Sequence, residues 1–503
     1  MGSGDGHTLR AYHDRTKHSV ASVRVGAWPL DWDNRPLPFK VSPELEPIPL
    51  PTDLPGSQRL ALDVIDGVGG TGRPLDLATL AHLLYFSVGI VRQRRWSGGE
   101  IFFRAAACTG ALYHVDVYVV TAAIPGLDAG VYHFSPHDFA LRRLRTGDHR
   151  GHVIAATAAH AATAPVHLLF ASTFWRNAWK YRDRTYRHCF WDTGTIAANL
   201  LATAAALDVR TALVTGFADE ALRALVDLDP MREAPLLVAA LGEDAPPAPP
   251  PPPLAPLGFA TLPLSRTEID YPLVREAHAA STLPDEDSVR HWRSSPPPEA
   301  PRDDTPDVAL AAPASSVVRE PIEAVILRRG STRRFPRAPI PADALAAIIR
   351  AAATSAPLDV RAPTTCYVVA HAVDGVDPGA YVVTPDAAAL TRLERGDFRR
   401  TTGFLGLGQE LPADAACCLY WLTDLEPVFQ RLGDRGYRVA SLEAALAGGR
   451  TYLAAYALGL GATGLTFFDD EVTAFFSPHA TGRSVLFHMA VGRRGQHTVP
   501  RDA

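Results

Sequence analysis

The feature that most constrains the fold of this chain is an internal repeat. Residues 182–220 align without a gap with residues 433–471, and the two copies lie 251 positions apart. Eleven of the 39 aligned positions are identical. Upstream, residues 129–148 parallel residues 378–397 in the same order. The units of a solenoid are far shorter than this repeat, so its size predicts two duplicated domains.

The chain has 503 residues, which is enough for two or three domains. Residues 244–256 are proline-rich and must be extended, because each proline fixes φ and removes a hydrogen-bond donor. Residues 284–316 are acidic and rich in proline and serine, which is typical of a mobile or surface-draped segment. The stretch between them favours a short helix that docks on a domain. We therefore predict a first domain over residues 1–243, a linker over 244–318 and a second domain over 319–503.

Both halves of the repeat have the same order of elements. Each has a first helix, strands joined by a turn, a long helix rich in alanine and leucine, and a final apolar strand. The long helix is apolar nearly all round, which indicates a central, buried position and a place at the interface between the domains. This order predicts the α+β class.

The composition excludes several classes of protein. Basic residues number 49 and acidic residues 54, so the net charge of −5 gives no general attraction to nucleic acid or to an anionic membrane. There is no apolar run of transmembrane length, and the N-terminus lacks an apolar signal core. The five cysteines are odd in number and have no metal-ligand spacing, so we expect neither disulfides nor a metal site, and a cytoplasmic location. The adjacent Cys417 and Cys418 are expected to act as small hydrophobic residues in a buried strand.

The run LRRGSTRRF, residues 327–335, contains four arginines around Ser331 and Thr332. Guanidinium groups this close repel one another unless an anion lies between them, so the run favours an anion site. The alternative is a solvated basic helix start that makes surface ion pairs. The run occurs in the second half only.

Four stretches in this order resemble the FMN-dependent nitroreductase superfamily, and more narrowly the SagB/ThcOx-like dehydrogenases, which oxidise azolines to azoles. They are residues 104–120, 126–148, 179–194 and 328–335. The resemblance implies a mainly antiparallel sheet flanked by helices, and an FMN bound between two subunits of a dimer. In a chain with two such domains it implies an intramolecular pseudodimer.

The resemblance also implies which residues hold FMN. From the second half these are Arg329, Ser331 and Arg333 of the arginine run, Gly464 and Leu465 of a loop facing the flavin ring, and Arg493 and Arg494 after the last strand. From the first half they are Arg104, Cys108, Thr109 and Gly110 of a small-residue loop. In this loop Ala107 replaces the proline of the family motif and Cys108 replaces its serine.

Each half lacks what the other keeps. The first half has no arginine run, and the second half has LDVRAPTTCYVV in place of the small-residue loop. We therefore expect one FMN site per chain, with its symmetry mate lost. Guanidinium groups would neutralise the phosphate of FMN and the charge that its ring gains on reduction.

A catalytic pair is implied by the same resemblance. In SagB-like dehydrogenases a Lys-Tyr pair beside the flavin is implicated in proton transfer, and here Lys180 and Tyr181 match it. Lysine acts as a base only where burial or nearby cations lower its pKa. The alternative for Lys180 is a surface lysine at a helix entry. His114 could line the pocket or be a satisfied structural histidine, and Tyr186, which recurs as Tyr437, favours packing over catalysis.

These features together predict an FMN-dependent dehydrogenase or oxidase that makes azoles or related heterocycles in natural-product biosynthesis, with oxygen as terminal acceptor. The substrate is expected to be a free, peptide-borne or carrier-tethered heterocycle, with a cyclodehydratase or synthetase as a partner. One alternative is an NAD(P)H-dependent nitro- or quinone reductase. Another is a flavin-free scaffold in a biosynthetic complex.

Overall fold

The computed structural model describes residues 6–25, 29–67, 72–96, 99–160, 162–296, 306–310 and 320–495. Residues 284–316, which we expected to be mobile, lie partly outside these ranges. Residue 319, the expected start of the second domain, lies outside them. No helix in the described ranges is both long enough and apolar enough to cross a membrane.

The first half of the chain contains nine strands and eight helices among the residues described. In chain order these are α1 (His7–Arg15), α2 (Val20–Val25), β1 (Pro47–Pro49), α3 (Ala61–Val64), α4 (Leu77–Val88), β2 (Ile90–Trp96), β3 (Gly99–Arg104), β4 (Val115–Thr121), β5 (Gly130–Ser135), β6 (Ala140–Thr146), α5 (Arg150–Ala156), β7 (Val166–Thr173), α6 (Phe174–Tyr181), α7 (Thr185–Ala206), β8 (Thr211–Val214), α8 (Asp219–Val226) and β9 (Glu233–Leu241). Short 3₁₀ turns occupy Trp32–Asn34, Thr109–Ala111 and Arg182–Arg184.

The second half begins inside the expected linker. Its elements are α9 (Pro272–Ala280), α10 (Glu286–Arg293), β10 (Val308–Ala309), α11 (Ile322–Arg328), α12 (Ala342–Ala353), β11 (Thr365–Ala370), β12 (Gly379–Val383), β13 (Ala389–Arg395), α13 (Arg399–Leu405), α14 (Glu410–Asp414), β14 (Cys417–Asp424), α15 (Leu425–Leu432), α16 (Arg435–Ala457), β15 (Gly461–Gly464), α17 (Asp469–Phe475) and β16 (Arg483–Gly492).

The two sheets have the same topology. The strand order of the first is β1-β6-β5-β4-β7-β9-β8, and that of the second is β10-β13-β12-β11-β14-β16-β15. Neighbouring strands pair antiparallel in both sheets. The hairpin formed by β2 and β3 is an addition to the first domain. The α+β class and the tandem arrangement are therefore confirmed, and Cys417 and Cys418 are buried in β14 as expected.

The long helices α7 and α16 form the centre of the molecule. All 22 residues of α7 and all 23 of α16 are buried, because each helix packs on its own sheet and on the other helix. This confirms the central, interdomain position that their apolar sequences predicted. Two domains joined through corresponding faces in this way form an intramolecular pseudodimer.

Buried ion pairs join the start of each long helix to the opposite domain. Asp469 accepts hydrogen bonds from Arg187 at 2.6 Å and from Arg184 at 3.2 Å. On the other side Asp219 accepts from Arg438 at 2.7 Å and from Arg435 at 2.6 Å. Arg435 and Arg438 follow Arg184 and Arg187 by 251 positions, so the two clusters are symmetry counterparts.

The repeat also extends further upstream than the aligned sequences showed. Arg187 donates to the carbonyl of His13 at 2.6 Å and to Oγ1 of Thr16 at 2.9 Å. Arg438 donates to the carbonyl of His278 at 3.0 Å and to Oγ of Ser281 at 2.8 Å. Helix α9, which we expected to dock on a domain, is thus the counterpart of α1.

The proline-rich residues 244–256 contain no helix or strand, as expected. The acidic segment after them differs in part from the expectation, because residues 286–293 form α10 and pack on the protein. Trp292 is 5% exposed. An Asp285 cap starts this helix by accepting a hydrogen bond from the backbone N–H of Ser288 at 2.8 Å.

Candidate functional site

A cavity of about 360 Å³ lies between the two domains and is lined by residues of both. The first domain contributes His18, Ala107, Cys108, Thr109, Gly110, Lys180, Tyr181, His188, Trp191, Asp192 and Thr195. The second contributes Ser331, Arg333, Gln409, Tyr452, Gly464, Leu465, Thr466 and Phe487. Nine residues that the sequence assigned to a shared site therefore meet at one cavity. They are Cys108, Thr109, Gly110, Lys180, Tyr181, Ser331, Arg333, Gly464 and Leu465.

Side chains of α7 hold the small-residue loop in place. Oγ1 of Thr195 donates to the carbonyl of Ala107 at 2.7 Å. Oδ1 of Asp192 accepts from the backbone N–H of Thr109 at 2.9 Å and from its hydroxyl at 2.6 Å. Although Ala107 stands where the family motif has proline, the loop is fixed by these hydrogen bonds to the helix. Gly110 has a φ of 62°, a conformation that favours glycine.

Cys108 makes hydrogen bonds through its sulfur in two directions. Its Sγ donates to Oδ2 of Asp192 at 3.0 Å and accepts from the backbone N–H of Tyr113 at 3.1 Å. Burial, together with the negative charge of Asp192, raises the pKa of this thiol well above its usual value. The thiol is therefore a neutral hydrogen-bonding group, as the serine hydroxyl of the family motif would be.

The Lys-Tyr pair ends helix α6. The next residue, Arg182, turns the chain with a φ of 48°, and its counterpart Gly433 has a φ of 59°. A non-glycine residue in this region is strained, so the first domain keeps a costly turn beside the cavity where the second domain uses glycine. The ring of Tyr181 packs edge-on against His188, with 4.5 Å between the centroids.

The two side chains of the pair have pKa values shifted in opposite directions. Burial, Arg333 and Arg35 lower the pKa of Lys180, which is half-buried. Burial, Asp192 and Cys108 raise the pKa of Tyr181. The environment therefore favours a lysine that can lose its proton and a tyrosine that keeps its own.

On the second domain a small hydrogen-bonded group faces this pair. The hydroxyl of Tyr452 accepts from the backbone N–H of Gly464 at 2.6 Å and lies 3.2 Å from the hydroxyl of Ser331. Arg333 is exposed, and within the described residues it has no hydrogen bond or ion pair. This wall therefore offers a guanidinium and a hydroxyl to an anion.

Four arginines assigned to the cofactor lie away from the wall of this cavity. Arg329 donates to the carbonyls of Arg104 at 2.9 Å and Ala105 at 2.7 Å, and so ties the arginine run to the small-residue loop of the other domain. Arg104 donates to the carbonyls of Val115 and Pro38, and burial lowers its pKa to about 10. The exposed Arg493 donates to the carbonyl of Pro339, and the exposed Arg494 lies over the ring of Tyr456. Their role in binding FMN stays a prediction.

Three further residues have structural positions. His114 is fully buried and lies 2.8 Å from Ser172 and 2.9 Å from Asp192, so it is a satisfied structural histidine and does not line the cavity. Tyr186 and Tyr437 are buried against the helices α9 and α1, respectively. This supports the packing role expected for the repeated tyrosines.

The symmetry-related position on the other side of the molecule is filled by the chain itself. Trp292 donates from Nε1 to the carbonyl of Leu432, the counterpart of Tyr181, at 2.9 Å. Arg293 donates to the carbonyl of Gly216 at 3.0 Å. Asp359 accepts from the backbone N–H groups of Thr215 at 2.7 Å and Gly216 at 2.9 Å. A side chain of α10 and a loop of the second domain thus occupy the place that corresponds to the cavity.

Sequence reasoning missed several residues of the cavity. These are His18, His188, Trp191, Asp192, Thr195, Gln409, Tyr452, Thr466 and Phe487. One signal for Asp192 was available, because the repeat places the acidic Glu443 at the same position of the other long helix. The others come from distant parts of the chain that only folding brings together.

Comparisons with known proteins agree with this arrangement. The profile of the nitroreductase family matches residues 72–243 and 326–493, which together are more than half of the chain. A "putative nitroreductase" of Methanocaldococcus jannaschii is 28% identical over 172 residues, covering 34% of this chain and 81% of that protein. The crystal structure of a "putative nitroreductase" from Anabaena variabilis has a TM-score of 0.76 at 26% identity, covering 97% of this chain and 99% of that one.

The crystal structure of a "putative nitroreductase" from Ralstonia eutropha is covered over 100% of its length by 42% of this chain, with 21% identity and a TM-score of 0.31. The Anabaena structure, in contrast, matches both domains together. With the family profile matched in both halves, the chain belongs to the nitroreductase family as a tandem duplication of its domain.

Proposed function

We propose that the protein is an FMN-dependent dehydrogenase or oxidase of the SagB/ThcOx type, which removes two hydrogens from a thiazoline- or oxazoline-like ring. The observation that carries this proposal is the cavity in which Lys180 and Tyr181 of one domain face Ser331 and Arg333 of the other. The family membership supports an oxidoreductase. The Lys-Tyr pair supports the narrower activity.

The chemistry of the cavity suits FMN. Its aromatic and small residues, among them Trp191, Phe487 and Gly464, could contact the faces of a flat ring. Arg333 and Ser331 could hold anionic oxygen atoms through charge-assisted hydrogen bonds. The indole N–H of Trp191 is buried and has no partner in the described part of the chain, so a donor is left for a bound group. We propose about one FMN per chain, because the corresponding place opposite is filled by Trp292 and Asp359.

Lys180 and Tyr181 would have different roles in the reaction. When bound, the flavin supplies a hydride acceptor at N5. The neutral amine of Lys180 would take the proton that the substrate ring loses, since its pKa is lowered by burial and by Arg333 and Arg35. Tyr181 would remain protonated and orient the substrate by donating a hydrogen bond.

We propose oxygen as the terminal electron acceptor and natural-product biosynthesis in the cytoplasm as the setting. A cyclodehydratase or synthetase, which forms the azoline ring, would be the partner. The substrate would be a small, peptide-borne or carrier-tethered heterocycle.

A second candidate is an NAD(P)H-dependent nitro- or quinone reductase. It is favoured by the similarity to proteins named as nitroreductases. Steady oxidation of NADPH by a nitroaromatic or a quinone, without any azoline, would support it over the first candidate. A flavin-free scaffold would be the conclusion if the pure protein were colourless and did not take up FMN.

The experiment begins with the flavin content of the purified chain, measured by absorbance after denaturation. We then expect mass spectrometry to show the loss of two hydrogens from azoline-containing candidates incubated with the protein in air. The variant Lys180→Ala should keep FMN and lose this reaction, whereas Arg431→Ala, at the counterpart position, should keep both. Unchanged oxidation by Lys180→Ala would contradict the proposed mechanism.

A further inference from the structure

Asp192 is a buried carboxylate with an unusual set of partners. Its side chain is 5% exposed, and it accepts hydrogen bonds from the hydroxyl and the backbone N–H of Thr109, the thiol of Cys108 and the imidazole of His114. In the described ranges of the chain no arginine or lysine pairs with it. Burying a carboxylate without a cation is unfavourable unless hydrogen bonds compensate, so this arrangement depends on its donors.

The imidazole behind the carboxylate has a defined orientation. His114 is fully buried between Asp192 and Ser172. Because a carboxylate only accepts hydrogen bonds, Nε2 of His114 carries a proton, and Nδ1 lies 2.8 Å from the hydroxyl of Ser172. Ser172 and His114 therefore hold the carboxylate of Asp192 on one side, and the small-residue loop contacts its other side.

The repeat supplies a comparison within the same chain. Glu443 occupies the position of Asp192 in α16, and it also anchors the segment that leads into the corresponding strand. It accepts from Arg361 at 2.9 and 3.0 Å and from the backbone N–H of Ala362 at 2.8 Å. The acid is present in both long helices, but Glu443 is paired with the permanent cation of Arg361.

We propose that Asp192, held by His114, is the positioning residue of the cavity, fixing the loop from Cys108 to Gly110 in the conformation that receives the cofactor. Its charge also keeps the Cys108 thiol and the Tyr181 hydroxyl in their neutral, hydrogen-donating forms. Burial and Asp192 raise the pKa of both Cys108 and Tyr181, whereas Arg104, which also faces Cys108, opposes this at the thiol. The identity of the ligand as FMN rests on the proposed function; the effect on the loop does not.

Cys108 is a built-in probe of this arrangement. It lines the cavity, whereas Cys189, Cys417 and Cys418 are buried and Cys366 lies in the second domain. The rate of its alkylation by iodoacetamide, followed by peptide mass spectrometry, reports the thiolate fraction and the exposure of the loop. The measurement uses the full-length protein without flavin and needs no substrate.

We expect Asp192→Asn to speed the alkylation of Cys108 about tenfold at a given pH, because the thiolate would no longer lie beside a negative charge. The same variant should weaken FMN binding about tenfold, measured by quenching of flavin fluorescence, because charged-acceptor hydrogen bonds to the loop are lost. Asp192→Glu, which keeps the charge, should retain slow alkylation. Glu443→Gln is the matched control and should change neither quantity.

Equal alkylation rates in Asp192→Asn and the wild type would overturn the proposal, whatever the flavin result. If Asp192→Asn does not fold, His114→Asn tests the same arrangement by removing the imidazole that holds Asp192. An unchanged rate of Cys108 alkylation in His114→Asn would also overturn the proposal. Failure of the wild type to bind FMN would contradict the proposed function alone, since the alkylation comparison is made without flavin.

Discussion

A Cβ atom placed on Gly194 would lie 2.6 Å from the Cβ of Ala445, and Ala445 follows Gly194 by the 251 positions of the repeat. A second pair of counterparts behaves in the same way, since a Cβ atom placed on Gly449 would lie 2.6 Å from the Cβ of Ala198. Residues that meet their own counterparts mark the pseudo-twofold axis, which therefore passes between the two long helices. The cavity forms because the two domains have diverged, and this axis places the small-residue loop of the first domain opposite the arginine run of the second.

We expect Gly194→Val to destabilise the protein by about 1–3 kcal/mol, because the added atoms meet the backbone of Leu442 and Leu446 at 2.8 Å and cannot be accommodated without moving a helix. Denaturant unfolding would measure this. Ala353→Val, at an exposed position in the last turn of α12, is the control and should leave the midpoint unchanged. A Gly194→Val protein of wild-type stability would contradict the close approach of the helices.

The buried ion pairs predict a loss of stability in acid. Burial alone would raise the pKa of Asp469, but Arg184 and Arg187 outweigh it and hold the pKa well below its usual value. A carboxyl with a lowered pKa stabilises the folded state above its unfolded pKa of about 3.9, and this contribution is lost as the pH falls below that value. Unfolding free energies measured across the acidic range should therefore decline with falling pH.

Asp469→Asn should lower the free energy of unfolding at neutral pH by about 3–5 kcal/mol, since it leaves two buried guanidinium groups without their anion. Its stability should also depend less on pH in acid than that of the wild type. Asp219→Asn is expected to behave in the same way through Arg435 and Arg438. The exposed Asp53→Asn is the control, and equal losses in all three variants would rule out the ion pairs as the cause.

The base assigned to Lys180 predicts a pH profile. Oxidation should increase with pH as the amine loses its proton, with an apparent pKa below the usual lysine value. Arg35→Gln removes one of the cations that lower this pKa, so the acidic limb of the profile should move to higher pH, most clearly at low salt. Arg59→Gln, an exposed arginine elsewhere on the first domain, should leave the profile in place. A shift in the opposite direction would exclude Lys180 as the group that titrates.

Because Trp292 fills the symmetry-related position, its removal tests whether that position can bind FMN. We expect the number of FMN molecules bound per chain to stay the same. Trp292→Ala should cost about 3–5 kcal/mol of stability, because a buried indole is removed from between two domains. The variant should still bind about one FMN, since the opposite position has Arg431 and Leu432 in place of the Lys-Tyr pair and lacks an arginine run. Trp32→Ala, where the side chain is 65% exposed, is the control for stability. Binding of a second FMN to the Trp292→Ala variant would show that the Trp292 side chain alone prevents binding at that position.

Part of the cavity was predictable and part was not. The run around Ser331, the loop around Gly110 and the pair at Lys180 each stood out as local patterns, and each lines the cavity. Tyr452 and Gln409 carry no such pattern, because they come from a long helix and a loop whose role depends on neighbours far away in the chain. The equivalence of α1 and α9 was also hidden, since the two helices share few identical residues and are recognised by the hydrogen bonds that Arg187 and Arg438 make to them.

The sequence alone determined the duplication, the α+β class and the buried position of the two long helices, because repeats and hydrophobic periodicity are local properties that survive divergence. It also showed that each half retained different polar motifs. Only the tertiary structure decided that these motifs face one another, that Trp292 of the connecting segment fills the opposite position, and that Asp192 carries the loop. These outcomes depend on where the pseudo-twofold axis places residues hundreds of positions apart, and that placement is fixed by the packing of Gly194 on Ala445 and not by any local pattern.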